Sequence, residues 1–283
     1  MTEPLRWMIG DIKVTAVVES VTTGISRFVL PQATPEAVGD APWLAPYLDE
    51  NRQLLMTIQS FLVESGEQKL LVDTCVGNDK ERRFREWNRL DTDYLQRLEQ
   101  AGAAADAVDA VLCTHLHVDH VGWNTRLQVG RWVPTFVNAR YLFGRAEWEY
   151  WKDRPEEVDT VIGDSVRPII EGGLADLVEH DAVIGEGLRL VPTPGHTPGH
   201  VSLEIESRGE SGFITGDMVH HPCQLQHADW AASPDVDPEV GTATRRTVFE
   251  RYADTPTLFI GSHFHAPTAG RIVRDGDVYR LDV

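Results

Sequence analysis

Hydrophobic and polar positions along the chain fall into short apolar runs separated by longer stretches with helical spacing. IQSFLVES (58–65) and KLLVD (69–73) flank a Gly-Glu turn and have the pattern of a hairpin. DTDYLQRLEQAG (91–102) opens with acidic residues, sets Leu95 and Leu98 on one face and stops at Gly102, which predicts a helix. VDAVLC (108–113) reads as a buried strand. FGRAEWEYWKD (143–153) and VDTVIGDSVRPII (158–170) have helical spacing, with Gly163 and Pro168 as breakers in the second.

The rhythm then repeats. LRLVPTP (188–194), VSLEIES (201–207) and GFITGD (212–217) read as strands, with SRGES turning between the last two. DPEVGTATRRTVFERYAD (237–254) reads as a helix, TLFIGSH (257–263) as a strand, and RIVRDGDVYRLDV (271–283) as a closing hairpin around Asp-Gly. Two comparable halves of mixed strands and helices predict an α/β sandwich with helices outside, as one domain over 1–283. The segment 29–56 stands apart. Irregular, with prolines at 31, 35, 42 and 46, and with Trp43, Leu44, Tyr47 and Leu48 as its apolar residues, it is expected to be either a lid or a loop covering an apolar patch.

Composition narrows the function classes. Lys and Arg number 26 against 44 Asp and Glu, a formal charge of −18. That balance disfavours nucleic acid, whose affinity rests on cationic contacts, and an anionic membrane surface. A neutral small molecule suits it better. No apolar run approaches the ~20 residues of a bilayer span. The start, MTEPLRWMIGDIKVT, lacks the pattern of a signal peptide. Cys75, Cys113 and Cys223 form no C-x-x-C pair, so buried thiols and a cytoplasmic location are expected.

The chemistry is concentrated in CTHLHVDHVGWN (113–124), which carries His115, His117, Asp119 and His120 directly after a predicted strand. In an extended segment, i and i+2 project to one side, so His115 and His117 can reach one metal ion. A turn after them would aim Asp119 and His120 at a second ion. Imidazole and carboxylate are the ligands a borderline cation such as zinc accepts, although Mn, Co and Fe also accept this set. Further donors stand where other strands end: His196 in PTPGHTPGH (192–200), Asp217 in FITGD and His263 in LFIGSH. A carboxylate can bridge two cations, which suits Asp217.

HLHVDH followed by GHTPGH, TGD and GSH, in that order, resembles the metallo-β-lactamase-fold hydrolases, and the likeness spans nearly the whole chain. It implies a four-layer αβ/βα sandwich with a dinuclear site between two sheets. His115, His117 and His196 would hold the first metal; Asp119, His120 and His263 the second; Asp217 would bridge both. Asp73 in LVDT would stand behind the ligands, His200 would fix its own loop, and His265 would not ligate. The reaction implied is attack on an ester-type centre by a hydroxide held between the cations, with Asp119 moving the proton.

GDMVHHPCQLQHADWAASPDVDP (216–238) most resembles methyl parathion hydrolase and the quorum-quenching lactonases. The expected substrate is therefore a lactone or related carboxylic ester, with a phosphotriesterase as the alternative. Best-known lactonases of this kind place a Tyr three residues after the bridging Asp, whereas this chain has His220. That residue is expected either to touch substrate or to sit exposed in a loop with His221. Trp123 and Trp43 could wall an apolar pocket or join the core; Trp148 and Trp151 suit the core; Arg245 and Arg246 suit a solvated helix face. A homodimer is the assembly the resemblance carries. A redox di-iron protein and a non-catalytic metal module are the rival classes.

Overall fold

A computed structural model describes residues 3–23, 26–39, 41–154 and 160–283. Two seven-stranded sheets face each other. The first has the order β1-β2-β3-β4-β5-β8-β9, built from Arg6–Ile9, Ile12–Thr22, Met56–Ser65, Gln68–Val72, Ala110–Cys113, Arg140–Gly144 and Ala175–Val178. The second runs β10 to β16 in sequence order: Val183–Gly185, Leu188–Pro192, Val201–Ser207, Glu210–Ile214, Leu258–Ile260, Ala269–Asp275 and Val278–Asp282. Thr125–Gln128 and Arg131–Pro134 (β6 and β7) form a separate hairpin.

The period-2 geometry of a strand sorts each apolar run between two cores. Phe61 and Val63 of β3, Leu70 and Val72 of β4, and Ala110 and Leu112 of β5 pack between the sheets against Leu190, Leu203, Ile205, Ile214 and Ile260. Their neighbours Leu62, Leu71, Val111 and Cys113 face outward into a second core under the helices. Both faces are thus covered, which is why these strands read as continuous apolar runs rather than alternating ones. Full burial of each large side chain contributes roughly 1.5–3 kcal/mol. The result is the four-layer αβ/βα sandwich.

The predicted elements are found with shifted ends. The 58–65 and 69–73 runs pair antiparallel, with Ser65 opposite Gln68. The first predicted helix spans Tyr94–Ala101 and buries Tyr94, Leu98 and Ala101, with Leu95 at the margin. The 143–153 helix is Arg145–Trp151, its first two residues belonging to β8. In the 158–170 region, residues 158 and 159 lie outside the described ones. The rest is a π-helical turn at Ile162–Val166 followed by an α-helix at Arg167–Glu171 with Pro168 in its first turn, where a missing N–H costs nothing.

Segment 29–56, residue 40 excepted, buries Val29, Leu30, Val38, Leu44, Tyr47 and Leu54 in the outer core. His221 Nε2 donates to the Tyr47 carbonyl at 3.0 Å, tying the segment to the second half of the chain.

Two expectations need correction. Arg245 and Arg246 were expected on a solvated face, but Arg245 is fully buried on the helix Pro238–Tyr252. It shares a stripe with Gly241, Val248 and Tyr252, and its charge faces Asp235 at 3.6 Å. Of the two positions open to it, Trp123 takes the core one, stacked on Tyr94 at 5.4 Å and donating to Glu19 at 2.6 Å. His220 and His221 are both buried, so the exposed-loop reading fails.

Candidate metal centre

Parallel neighbours bring strand ends together. β4 and β5 run parallel in the first sheet, and β13 and β14 run parallel in the second. Their C-terminal ends therefore open on one edge of the sandwich, and each continues into a segment that carries ligand-type side chains. β4 leads to Asp73, β5 to the 115–120 cluster, β13 to Asp217 and β14 to His263. β11 ends at Pro192, and the Gly/Pro turn after it carries His196. Gly216 has φ +56°, and a Cβ there would meet His200 Nε2 at 2.5 Å, so only glycine lets Asp217 approach.

Every candidate donor converges. His115, His117 and His196 form one group; Asp119, His120 and His263 a second; Asp217 joins His115 and His120 in a third, and His196 and His220 in a fourth. Within each group the donor atoms lie within 4.8 Å of one another. Asp217 stands between them, with Oδ1 at 3.1 Å from His120 Nε2 and 3.0 Å from His263 Nε2. Its Oδ2 lies 3.5 Å from His196 Nε2 and 3.2 Å from His220 Nε2.

Hydrogen bonds behind these rings set their tautomers. His120 Nδ1 faces Asp73 Oδ2 at 2.8 Å, His196 Nδ1 faces Asp235 Oδ1 at 2.7 Å, and His263 Nδ1 faces the Thr57 carbonyl at 3.0 Å. Each partner only accepts, so Nδ1 carries a proton and Nε2 points inward. Burial opposes a second proton on His120 and His263, but the Asp217 carboxylate between them outweighs it and raises both pKa values. It is that Nε2 proton a metal cation would displace. Asp73 reaches its position from a left-handed backbone (φ 58°) and also accepts from the Thr114 amide at 2.8 Å. His200 Nδ1 lies 2.8 Å from Thr193 Oγ1, while its Nε2 accepts from the Asp217 amide at 2.8 Å. That ring therefore steadies Asp217. His265 turns aside to Thr57 Oγ1 at 3.1 Å.

Inward ring nitrogens then face one another: His120 Nε2 and His263 Nε2 at 3.2 Å, His117 Nδ1 and His196 Nε2 at 2.8 Å. His115 Nε2 and His220 Nδ1 are buried without a hydrogen-bond partner among the described residues, and Asp217 Oδ1 and His220 Nε2 have only close, poorly aligned neighbours at 3.0–3.2 Å. Unpaired buried polar atoms are costly, and a cation between them is the chemistry that satisfies this donor set. Burial, reinforced by neighbouring imidazoles, holds His115 and His117 well below the ordinary imidazole range, hence neutral and able to ligate. Burial alone would raise the Asp217 carboxyl, but His120, His263, His220 and His115 around it pull it well below its usual range. The residues fit divalent metal ions.

Two carboxylates that sequence patterns did not single out complete the surroundings. Asp235 is buried between His196 and Arg245; desolvation opposes its charge, yet those partners and His220 keep its carboxyl below the usual range. Glu147 is 1% exposed and links both histidine segments. It accepts from the Leu116 amide at 3.1 Å, the Gly199 amide at 3.0 Å and Trp151 Nε1 at 2.6 Å. The Trp151 ring in turn lies edge-on to His117 at 5.4 Å.

Above the cluster lies a cleft of about 1300 Å³. His117, Asp119, His196, Asp217, His220 and His263 face it, together with apolar Phe28, Val29, Met56, Ile58, Phe84, Trp87 and Val161. The aromatic wall is thus Phe28, Phe84 and Trp87, not Trp43 or Trp123. Val29 and Met56, at the two ends of the 29–56 segment, both border the cleft.

The metallo-beta-lactamase superfamily model matches residues 55–263. The chain belongs to the metallo-beta-lactamase superfamily. It is 26% identical over 239 residues to the N-acyl homoserine lactonase AiiA of Bacillus thuringiensis subsp. kurstaki, covering 80% of this chain and 88% of that protein. Among solved structures, the hydrolase AbOPH of the beta lactamase superfamily superposes with TM-score 0.81 at 23% identity, covering 100% of this chain and 98% of that one. AidC, a dizinc quorum-quenching lactonase solved with the product N-hexnoyl-L-homoserine, also gives 0.81, at 20% identity over 98% and 96%. At these identities the two structures speak to the fold. The protein is a metallo-hydrolase.

Proposed function

We propose that the protein hydrolyses a lactone or related carboxylic ester with two divalent metal ions, most simply zinc. His115, His117 and His196 would hold one, Asp119, His120 and His263 the other, and Asp217 both. The observation that carries this is the convergence of the four donor groups on Asp217 at the floor of an apolar cleft. When bound, such a metal pair lowers the pKa of water and polarises a substrate carbonyl. The chain's own residues do the rest. Asp73, Asp235 and the Thr57 carbonyl orient the histidines; Asp119, facing the cleft, accepts a proton and returns it to the leaving oxygen. His220, aimed into the same space, hydrogen-bonds the substrate. Met56, Ile58, Phe84 and Trp87 take the acyl portion and exclude water. Likeness to AiiA over most of the chain supports the lactone among ester-type substrates.

The second reading is a phosphotriesterase, favoured by His220 where the resembling lactonases carry a Tyr. The test is kcat/KM of the metal-loaded protein on an acyl homoserine lactone and on an aryl phosphotriester. A strong lactone preference supports the first reading, a phosphotriester preference the second, and failure on both removes the two together.

A further inference from the structure

One stretch that the metal chemistry does not use is KERRFREWNR (80–89). It carries five cationic side chains against two carboxylates in a chain whose formal charge is −18. It also forms one wall of the cleft, through Glu81, Arg82, Arg83, Phe84, Trp87, Asn88 and Arg89, so that a single carboxylate there faces three arginines. Two of its arginines are already matched. Arg82 grips Asp164 with both terminal nitrogens, at 2.6 and 2.9 Å, and Arg89 pairs with Glu81.

Arg83 is different. It lines the cleft, is exposed, and makes no hydrogen bond or ion pair among the described residues. Beside it, Phe84 packs edge-on to Trp87 at 5.4 Å and to Phe28 at 5.0 Å, a rigid apolar surface. Behind it, Arg82 keeps a buried Nε without a partner among the described residues. Because Arg83 is exposed, its pull on an anion is screened by salt and is strongest at low ionic strength. On a chain of net charge −18, an unpaired arginine at the cleft is a place where an anionic group meets positive charge.

We propose that Arg83 anchors an anionic group on the substrate, remote from the scissile bond, so that the preferred substrate is an amphiphilic ester or lactone whose apolar part lies on Phe84 and Trp87 and whose far end carries a carboxylate. The anchored group takes no part in bond cleavage; it positions the substrate. This rests on the ester-hydrolase reading and replaces the expectation of a wholly neutral substrate.

The test uses two phenyl esters that differ only at the far end: monophenyl adipate, with a free carboxylate, and its methyl ester. Phenol release by the metal-loaded protein is followed at low ionic strength. The wild-type ratio of kcat/KM, carboxylate over methyl ester, should be about tenfold, carried mainly by KM. Arg83→Glu should bring the ratio to one or below, and Arg83→Lys should keep part of it. A wild-type ratio near one, or a ratio unmoved in Arg83→Glu, overturns the proposal. If neither ester releases phenol, the ester-hydrolase reading fails, and the anion site is then decided by binding. Tryptophan fluorescence titrations of the metal-loaded protein with 4-phenylbutyrate and 4-phenylbutanol provide that readout. A carboxylate preference lost in Arg83→Glu supports the site; equal affinities in both proteins remove it.

Discussion

Replacing Glu147 with Gln changes one oxygen for an NH2 group and leaves volume and shape almost intact. The buried carboxylate accepts three N–H donors: Leu116 and Trp151 share Oε1, and Gly199 uses Oε2. A glutamine oxygen in the Oε1 position keeps the first two bonds and turns an N–H donor toward the Gly199 amide. The Gly199 amide and the new side-chain N–H then face each other as buried donors without an acceptor, a loss of about 1–3 kcal/mol for each in unfolding free energy. Because Leu116 lies between His115 and His117, and Gly199 lies on the turn after His196, the mismatch also loosens three ligands at once. Removing such a supporting carboxylate typically weakens metal binding by roughly 10–100-fold. Urea unfolding gives the first quantity. Zinc competition against a chromophoric chelator gives the second. Wild-type zinc affinity in a Glu147→Gln protein that has lost stability would refute the positioning role and leave only a packing one.

Other expected outcomes follow from the same geometry. Asp217→Ala should abolish turnover and release at least one metal ion; full activity with two ions retained contradicts the shared-carboxylate assignment. His220→Ala should lower kcat by about tenfold or more at unchanged metal content, as loss of a substrate hydrogen bond does; metal loss would instead make it a ligand, and an unchanged rate would remove it from the site. Burial lowers the His221 pKa from 6.5 to about 4. The unfolded chain therefore binds its proton first, so stability is retained above pH ~6.5 and falls as pH drops toward ~4, by roughly 3 kcal/mol for this group. His221→Asn should flatten that decline in urea midpoints measured at pH 7 and pH 4; an unaltered slope would contradict it.

The candidate ligand positions were legible because each sits in a short motif at or just past a strand end, where the direction of the chain is constrained. Of the supporting groups, Asp73 and His200 were marked by the same motifs, whereas Glu147 and Asp235 were not, since they reach the site from a helix and a loop with no local pattern to mark them. Arg245 is instructive in a different way. Its spacing from Gly241, Val248 and Tyr252 is the spacing of a buried helical face, but a charge there is tolerated because Asp235 lies beside it and the guanidinium donates to the Ala228 and Met218 carbonyls. Likewise IKVTAVVESVT (12–22) carries the alternation of a strand and forms β2, the long partner of β3. Phe84 and Trp87 join the cleft wall from an irregular loop, so only the folded chain shows that they, rather than Trp43 and Trp123, are the aromatic surface above the metal ligands.

The most direct test of the account is a titration of metal-free protein with zinc while hydrolysis of an acyl homoserine lactone is followed. Activity should be absent without metal, rise with added zinc and reach its plateau at two equivalents per chain. A plateau at one equivalent, or lactone hydrolysis that persists in the metal-free protein, would contradict a two-metal site built on Asp217.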